Sequence, residues 1–573
     1  MLCYSKSSLL PTREILRLTL RVTTAFTYNY SSCAFMKKKE FCADHSTQPG
    51  LKRLRRTMAT RKIELTAQEQ RLRGLLLDVA QFIDEAIDIK EKIELRWAGG
   101  WVRDKLLDIP SHDIDTAINS MTGLAFCERM QEYASDPKNL KKHSLEKKDI
   151  GNLHTIAANP VKSKHLETTT IRILGYDVDF VNLRKETYTS DSRNPQMEFG
   201  MAEEDALRRD ATMNSLFYNL RSDEVEDFCG GLEDLRAKRI RTPLEPLTTF
   251  TDDPLRVLRL IRFASRLEFK IDPETETAMS DPAVKEALKV KISRERVGAE
   301  LEKMLKGKHP KDALRIIDRL GLYNMIFTDP TTEELNSPET TTWQVVYDCL
   351  DRLSRNETPG PIYKSLVRSE DAEYSAWILA ALTPWLSIPQ PKNPTGGTKA
   401  GPLLATAVAR EGIKCNNKIS DNVAAAFRNY REIITLRDAI EAKEPYTKER
   451  DTLGMQIRRW DFQGKNWRLQ ILLAIFVEVL QKGELDYSEI ISRWQRFIDY
   501  LEGVDLMDAP AIKPIVTGVM VMKALGGIKA GAWMKPALDV CMEWQLRNPG
   551  EEDPKGAIDE VVKRRKELKV PEA

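Results

Sequence analysis

Apolar positions along this chain repeat with two different periods, and the switches between them set out the elements. Over 66–89 they recur about every 3.6 residues (Leu72, Leu75, Leu76, Val79, Phe82, Ile83, Ile87), which predicts an amphipathic helix packed on a core. Residues 95–98 read as a short strand, Gly99-Gly100 as a turn and 101–107 as a short helix. Past a loop marked by Pro110, a second strand starts at Asp113. Two more strands are predicted at 168–174 and 178–184. Before them lies a long, polar, lysine-rich stretch, 119–167, which reads as a loop, either functional or a plain solvated insertion. From 251 onward the period is helical, with segments at 251–267, 293–305, 311–320, 343–353, 467–480 and 490–501. The pattern predicts an α/β head, a small mixed sheet with helices, followed by an all-helical remainder.

Composition narrows this picture. A chain of 573 residues exceeds what one core comfortably holds, so several domains are expected. Lys+Arg 88 against Asp+Glu 86 leaves the protein nearly neutral, so a nucleic-acid partner would have to meet a local basic face. No run of about 18 apolar residues occurs, and no membrane-spanning helix is expected. The 8 cysteines stand singly, without a Cys-x-x-Cys pair, which argues against a zinc site or a disulfide framework and for a reducing compartment. Residues 1–39 form a different segment: rich in Ser, Thr and basic residues, with Glu14 as the sole acid and Arg13, Arg17 and Arg21 at helical spacing. That is the composition of a mitochondrial transit peptide, with a disordered tail as the alternative. Starts at Met36 or Met58 would remove most or all of it, and the LKRLRR cluster at 51–56 is either a weak nuclear signal or a basic linker. The expected distribution is mitochondrial for the full-length form, and cytoplasmic and nuclear for internal starts.

The candidate chemistry begins in the strand from Asp113. Asp113 and Asp115 are two apart, so both carboxylates project from one face. Paired carboxylates repel, and a divalent cation neutralises them; a set of hard oxygens with few other donors suits Mg²⁺. Gly99 and Gly100, without Cβ atoms, let a bulky anion approach the backbone, and Arg103 can add a forked contact to the same phosphate. Asp179 offers a third carboxylate, or is simply a strand residue near the edge of the core. In 203–220, Asp210 and Asn214 stand i, i+4 and are expected to share a helical face, and with Arg209 they can address a ribose hydroxyl and a phosphate. The 251–267 helix is expected to start with Asp253 as N-cap and Pro254 at its first position. One face carries Arg256, Arg259, Arg262 and Arg266, while Leu258, Leu260, Ile261 and Ala264 face the core.

These residues carry a resemblance. GGWVRD followed by HDIDTAI resembles the nucleotidyltransferase signature of the polymerase-β superfamily, in particular the class II CCA-adding enzymes and the related bacterial poly(A) polymerases. RRDATMNSL resembles the family's ribose-reading motif RRDxTxNA, with Ser215 in place of alanine. TDDPLR resembles the nucleotide-templating motif EDxxR, with Asp252 where the family has Glu. GGLEDLRAKRIRT (230–242) and SRERVGAELEKML (293–305) resemble the two remaining motifs, a hinge-like connector and a helix buttressing the previous one, whose Ser293 can cap it without a full capping box. The segments IGNLHTIAANPVKSKHLE and DFVNLR are similar to eukaryotic CCA-adding enzymes.

The resemblance implies a leader (1–60), a nucleotidyltransferase head (61–242), a helical neck (243–330), and a helical body and tail that bind tRNA (331–573). It implies addition of CCA to the tRNA 3′ end from CTP and ATP, with two Mg²⁺ ions on Asp113 and Asp115. Gly100 and Arg103 would hold the triphosphate, Arg209 and Asn214 the sugar, and Asp253 and Arg256 the base, with Arg259 and Arg262 reaching phosphates or bracing that pair. The 119–167 stretch would move towards the final adenosine, and lysines with Gly526-Gly527 in 512–554 would touch an RNA backbone. A poly(A) polymerase-like or partial CC- or A-adding transferase is the alternative within the class; a catalytically dead RNA-binding scaffold is the alternative outside it. A monomer is expected.

Overall fold

The computed structural model describes residues 63–86, 91–156, 168–189, 192–331, 337–356, 360–389, 403–461, 466–482 and 487–571. The leader, its internal start sites, the 51–56 cluster and residues 157–167 lie outside these.

The first helix, α1 (Ala67–Ala86), opens with a capping box: the Glu69 amide donates to Thr66 Oγ1 at 3.2 Å and the Thr66 amide to Glu69 Oε2 at 2.6 Å. β1 (Leu95–Ala98) leads through Gly99 into α2 (Gly100–Leu106) and then β2 (Asp113–Ile118), close to the expected bounds. The stretch after β2 corrects the expected loop. It contains α3 (Gly123–Ala134), capped by Thr122, then α4 (Pro137–Lys142), capped by Asp136, and β3 (Ile150–Ile156). Phe126, Met130 and Tyr133 of α3 are buried at helical spacing, a stripe that the surrounding lysines outweigh in a reading of polarity.

β4 (Thr168–Ile173) and β5 (Tyr176–Asn182) form a hairpin through Gly175, followed by the hairpin β6 (Arg184–Thr189) and β7 (Ser192–Phe199). α5 (Ala202–Leu207) stops before Asp210, so Asp210 and Asn214 do not share an α-helix as expected; a 3₁₀ turn at Thr212–Asn214 brings them together instead. β8 (Leu216–Asn219) and β9 (Glu224–Asp227) complete a seven-stranded sheet of order β3-β4-β5-β2-β1-β8-β9. β2 lies parallel to β5 and antiparallel to β1.

The two faces of the sheet have different tasks. Leu95, Trp97, Ile114 and Ile118 join Leu72, Leu75, Leu76 and Val79 of α1 in the main core. The opposite face, which bears Asp113 and Asp115, is covered by small residues: Ala98 and Ala117 pack with Ala202 and Ala206 of α5, Leu183 and Phe217. Small side chains let α5 lie close to the sheet at that end, while Asp115 is half-buried and Asp113 is exposed at the other.

The connector read as a hinge contains α6 (Gly231–Arg236) and β10 (Arg239–Ile240). α7 (Pro246–Asp252) follows, and α8 (Leu255–Leu267) starts one residue later than expected. Pro254 lacks an N–H and pushes the preceding residue to extended geometry, so Asp253 ends α7 and Pro254 takes the N-cap position of α8. β11 (Lys270–Ile271) pairs with β10, and α9 (Pro273–Met279), α10 (Pro282–Lys291) and α11 (Arg294–Leu305) finish this region. Ser293 stands at the N-cap of α11 without a side-chain cap bond.

The remainder is helical. Pro310–Arg319, Trp343–Ser354, Trp467–Lys482 and Tyr487–Gly503 match expected segments. A 25-residue helix, Asn417–Glu441, was not among them: it buries runs such as Val423–Phe427 and has no clean apolar stripe. The last helices, Gly518–Ala524, Met534–Arg547 and Lys555–Lys563, have their own small core around Val521, Ala537, Val540 and Val561.

Gly123 ties α3 to the sheet, since a Cβ there would lie 2.3 Å from the Phe180 carbonyl oxygen of β5. Gly123→Ala forces α3 and β5 apart, and the expected cost is that of overpacking a core, about 1–3 kcal/mol. A lowered urea midpoint is the readout, and an unchanged midpoint would show that α3 gives way freely.

Candidate active site

The site is built from the register of two parallel strands. Asp113 pairs with Asp177 and Asp115 with Asp179, so β2 and β5 present four carboxylates on one face. Burial raises the Asp115 carboxyl to about 6; Arg209 opposes this, while Asp113 and Asp179 add to it. Asp113 is raised as well, by burial and then by Asp179 and Asp177. The Thr170 hydroxyl donates to Asp179 Oδ1 at 2.5 Å and fixes that carboxylate on the face. Elevated carboxyls side by side mark a deficit of positive charge. Among the described residues no three His, Cys, Asp or Glu side chains form a ready metal cage. A few carboxylate oxygens on a partly open face fit a hard cation that keeps waters and shares its ligands with phosphate, as Mg²⁺ does.

Next to these carboxylates is a turn without side chains. Ala98 is the β1 partner of Asp115, and Gly99 follows it at φ 63°, a left-handed conformation that costs glycine little. A Cβ on Gly99 would lie 2.7 Å from Arg209 Nη1, and one on Gly100 would lie 3.8 Å from Arg103 Nη2. Two guanidiniums therefore converge on bare backbone beside the carboxylates, which suits a polyanion bridged to metal.

Both arginines are held by acids. Arg209 donates Nε to Asp205 Oδ2 at 3.0 Å and Nη1 to the Asn214 carbonyl at 3.1 Å, with its guanidinium 4.9 Å from the Phe217 ring centre. Burial would raise the Asp205 carboxyl, but Arg209 and Arg208 outweigh it and hold it below the ordinary value. Arg103, only 3% exposed, donates Nε to Asp104 Oδ1 at 2.7 Å and Nη1 to Asn214 Oδ1 at 2.6 Å.

The arginine face of α8 is paired rather than solvated. Asn214 Nδ2 donates to Asp210 Oδ1 at 2.9 Å, and Arg259 Nε to Asp210 Oδ2 at 2.6 Å. Arg259 and Asn214 thereby outweigh burial and hold the Asp210 carboxyl at about 2. Arg262 donates to Glu300 of α11 at 2.7 Å, and Arg266 to Asp104 at 3.0 Å. Arg256 is buried and donates Nη2 to the Arg208 carbonyl at 2.7 Å. Asp253 accepts the Leu255 amide at 3.3 Å, so it still caps α8 from one position further back, and its other oxygen lies 3.6 Å from Arg296.

The structure thus brings Gly100, Arg103, Asn214 and Arg259 into one network that also holds Asp210, and sets Arg209 within electrostatic reach of Asp115. Arg256 touches this network through Arg208, and Arg262 points away to Glu300. Asp253 and Arg256 meet through the backbone, the Arg256 amide donating to the Asp253 carbonyl at 3.1 Å. Sequence reasoning passed over Asp104, Asp205 and Glu300. Asp205 stands four residues before Arg209, a spacing that signals a pair on one helix face, whereas Glu300 is 38 residues from Arg262 and no local pattern points to it.

Comparison with known proteins adds an independent line. The family model "Poly A polymerase head domain" matches residues 95–241, and "Probable RNA and SrmB- binding site of polymerase A" matches 268–335. The chain is 49% identical over 559 residues to the nucleotidyltransferase lcsQ of Purpureocillium lilacinum, covering 89% of this chain and 94% of that protein. It is 37% identical over 511 residues to the mitochondrial CCA tRNA nucleotidyltransferase of Saccharomyces cerevisiae, covering 85% of this chain and 91% of that protein. The fold is similar to the Thermotoga maritima CCA-adding enzyme solved with tRNA, at a TM-score of 0.56 and 18% identity, covering 89% of this chain and 100% of that one.

The raised Asp115 carboxyl gives a pH signature. With a folded value near 6 above an ordinary 3.8, the native state holds a proton that the unfolded chain releases. Metal-free protein should therefore lose stability as pH rises from about 4 to about 6, and level off above that on this group's account. Asp115→Asn should flatten this window, as measured by urea midpoints in chelator. An identical slope in both proteins would place the titrating group elsewhere.

Proposed function

Because this chain belongs to the CCA tRNA nucleotidyltransferase family, we propose that it adds C, C and A to the 3′ end of tRNA from CTP and ATP, without a nucleic-acid template. The observation that carries this reading is the convergence of Arg103 and Arg209 on the bare Gly99-Gly100 turn beside Asp113 and Asp115.

Asp113 and Asp115 are the proposed metal ligands, with Asp179 as a third carboxylate on the same face. Two divalent ions bound there, Mg²⁺ by ligand type, supply charge for activating the 3′-hydroxyl and for the departing pyrophosphate. Gly100 lets the triphosphate reach the backbone, and Arg103 contributes its remaining N–H groups to it. Arg209 and Asn214 face the sugar, with Asn214 oriented by Arg103 and Asp210 on either side. Arg259 and Arg262 brace the reading helix through Asp210 and Glu300. Lysines of the 512–554 region, with Gly526-Gly527 at positive φ, are the proposed contacts to an RNA backbone, a sequence-independent mode of binding. A mitochondrial form from Met1 and cytoplasmic and nuclear forms from internal starts remain the proposed distribution, and a monomer the proposed state.

Base choice follows from hydrogen-bond chemistry. C and A each present an exocyclic amine donor beside a bare ring nitrogen, whereas U and G present a carbonyl beside a ring N–H. An acceptor from Asp253 and a donor from Arg256 suit the first pair and oppose the second.

Incubating tRNA that lacks its 3′ end with CTP and ATP, then sequencing the products, tests the activity. The expected product ends in CCA; A alone, CC alone or a long poly(A) tail would support the other transferases. Asp113→Ala and Asp115→Ala are each expected to lower incorporation by at least about a thousandfold with tRNA binding retained, since metal charge stabilisation contributes several kcal/mol. Activity within a fewfold of wild type in both would place the metal site elsewhere.

Arg256→Ala and Asp253→Ala are expected to lose most of the preference for CTP and ATP over UTP and GTP. A hydrogen-bonding site discriminates against mismatched groups by up to about 10⁴–10⁵. Asp253→Ala should also cost about 0.5–2 kcal/mol through its bond to the Leu255 amide. Wild-type preference with only a lowered melting temperature in both would leave Asp253 as a cap and nothing more.

A further inference from the structure

Asp104 takes no part in the roles assigned so far, yet it is 4% exposed and uses both carboxylate oxygens. Oδ1 accepts from Arg103 at 2.7 Å within the head, and Oδ2 accepts from Arg266 at 3.0 Å, 162 residues away on α8. The bonds form a closed ring. Arg103 binds Asn214, Asn214 binds Asp210, Asp210 binds Arg259, and α8 carries the ring on to Arg266, which returns through Asp104 to Arg103. Phe263 fills the space between the two clamps, with the guanidiniums of Arg103, Arg262 and Arg259 at 5.4, 4.5 and 5.6 Å from its ring centre.

Arg259 and Arg266 are seven residues apart, two turns or about 10 Å along α8. Arg262 ties α8 to Glu300 of α11, whereas Arg259 and Arg266 tie it to Asp210 and Asp104 beside the triphosphate turn, so two points two turns apart fix its roll and swing against that turn. Asp253 and Arg256 stand at the N-terminal end of this helix, so any pivot about Asp210 moves them against the triphosphate turn.

From this geometry we propose that Asp104 is a positioning residue for nucleotide selection, fastening the triphosphate arginine Arg103 to the base-reading helix α8 through Arg266. This rests on the proposed roles of Arg103 and of Asp253 with Arg256. Asp104 touches no substrate; it fixes the distance between the group that holds the phosphates and the groups that read the base.

The test compares R266Q, D104N, the double variant and R256A in steady-state CTP and ATP addition to tRNA lacking its end, with UTP misincorporation and melting temperature read in parallel. Arg266 is 41% exposed, so R266Q removes the clamp while leaving Asp104 paired with Arg103. R266Q is expected to raise KM for both nucleotides about tenfold and to narrow the CTP-over-UTP preference with little change in melting temperature, because small misplacements cost up to about a hundredfold in rate. The double variant should be no worse than D104N alone, since both changes break one link. R266K, which keeps a charged donor for Asp104, should recover most of the loss.

Wild-type KM and preference in R266Q would overturn the proposal whatever D104N does, and so would effects of the two single changes that simply multiply. A fall in melting temperature with KM unchanged would reduce the ring to a structural role and overturn it too. R256A separates the two layers. If R256A loses preference while R266Q keeps it, the latch alone fails; if R256A keeps its preference, the base-reading assignment fails and the latch falls with it.

Discussion

Like charges crowded on one face of a sheet are the constraint that this fold answers. The register that sets Asp115 beside Asp179, with Asp113 two residues before, buries and then crowds the carboxylates, and burial followed by their mutual repulsion raises two of them. Such a cluster is unfavourable for the protein alone, and on the proposed reading a bound cation would offset that cost. Arg209 relieves part of the repulsion, and the Gly99 turn that gives this guanidinium room also leaves the backbone open. Opposite charges and bare backbone thus meet at one strand end.

Pairs of buried acid and guanidinium also hold α8 to the sheet region and to α11. Asp104, Asp210 and Glu300 each accept from an arginine of α8, so the helix is located by charge pairs as much as by its apolar face in the core. Removing one partner of such a pair leaves a buried charge unmatched, which costs more than the pair itself contributes. These arginines therefore fix geometry more than they add stability.

Local pattern carried a good part of this fold. The strand–turn–helix–strand around Gly99 and the Asp113–Asp115 spacing are short-range features, and they were legible as they stand. The helix stripe of 67–86 was legible for the same reason. What escaped reading was non-local or masked by composition. Phe126, Met130 and Tyr133 made a helix inside a lysine-rich segment, and Pro254 shifted the start of α8 by its effect on Asp253. The i, i+4 spacing of Asp210 and Asn214 suggested a shared helix, while a 3₁₀ turn produced the same contact by another route. The partners of Arg262 and Arg266 lie on other elements, 38 and 162 residues away, and periodicity alone is silent on such pairs.

The most direct test of the site as described is a crystal structure of the protein with CTP and a divalent cation. The triphosphate is expected against Gly99-Gly100, between Arg103 and Arg209, with the metal on Asp113 and Asp115 and the cytosine edge within hydrogen-bond distance of Asp253 and Arg256. A triphosphate bound away from that turn, or a cytosine whose pairing edge faces neither Asp253 nor Arg256, would contradict it.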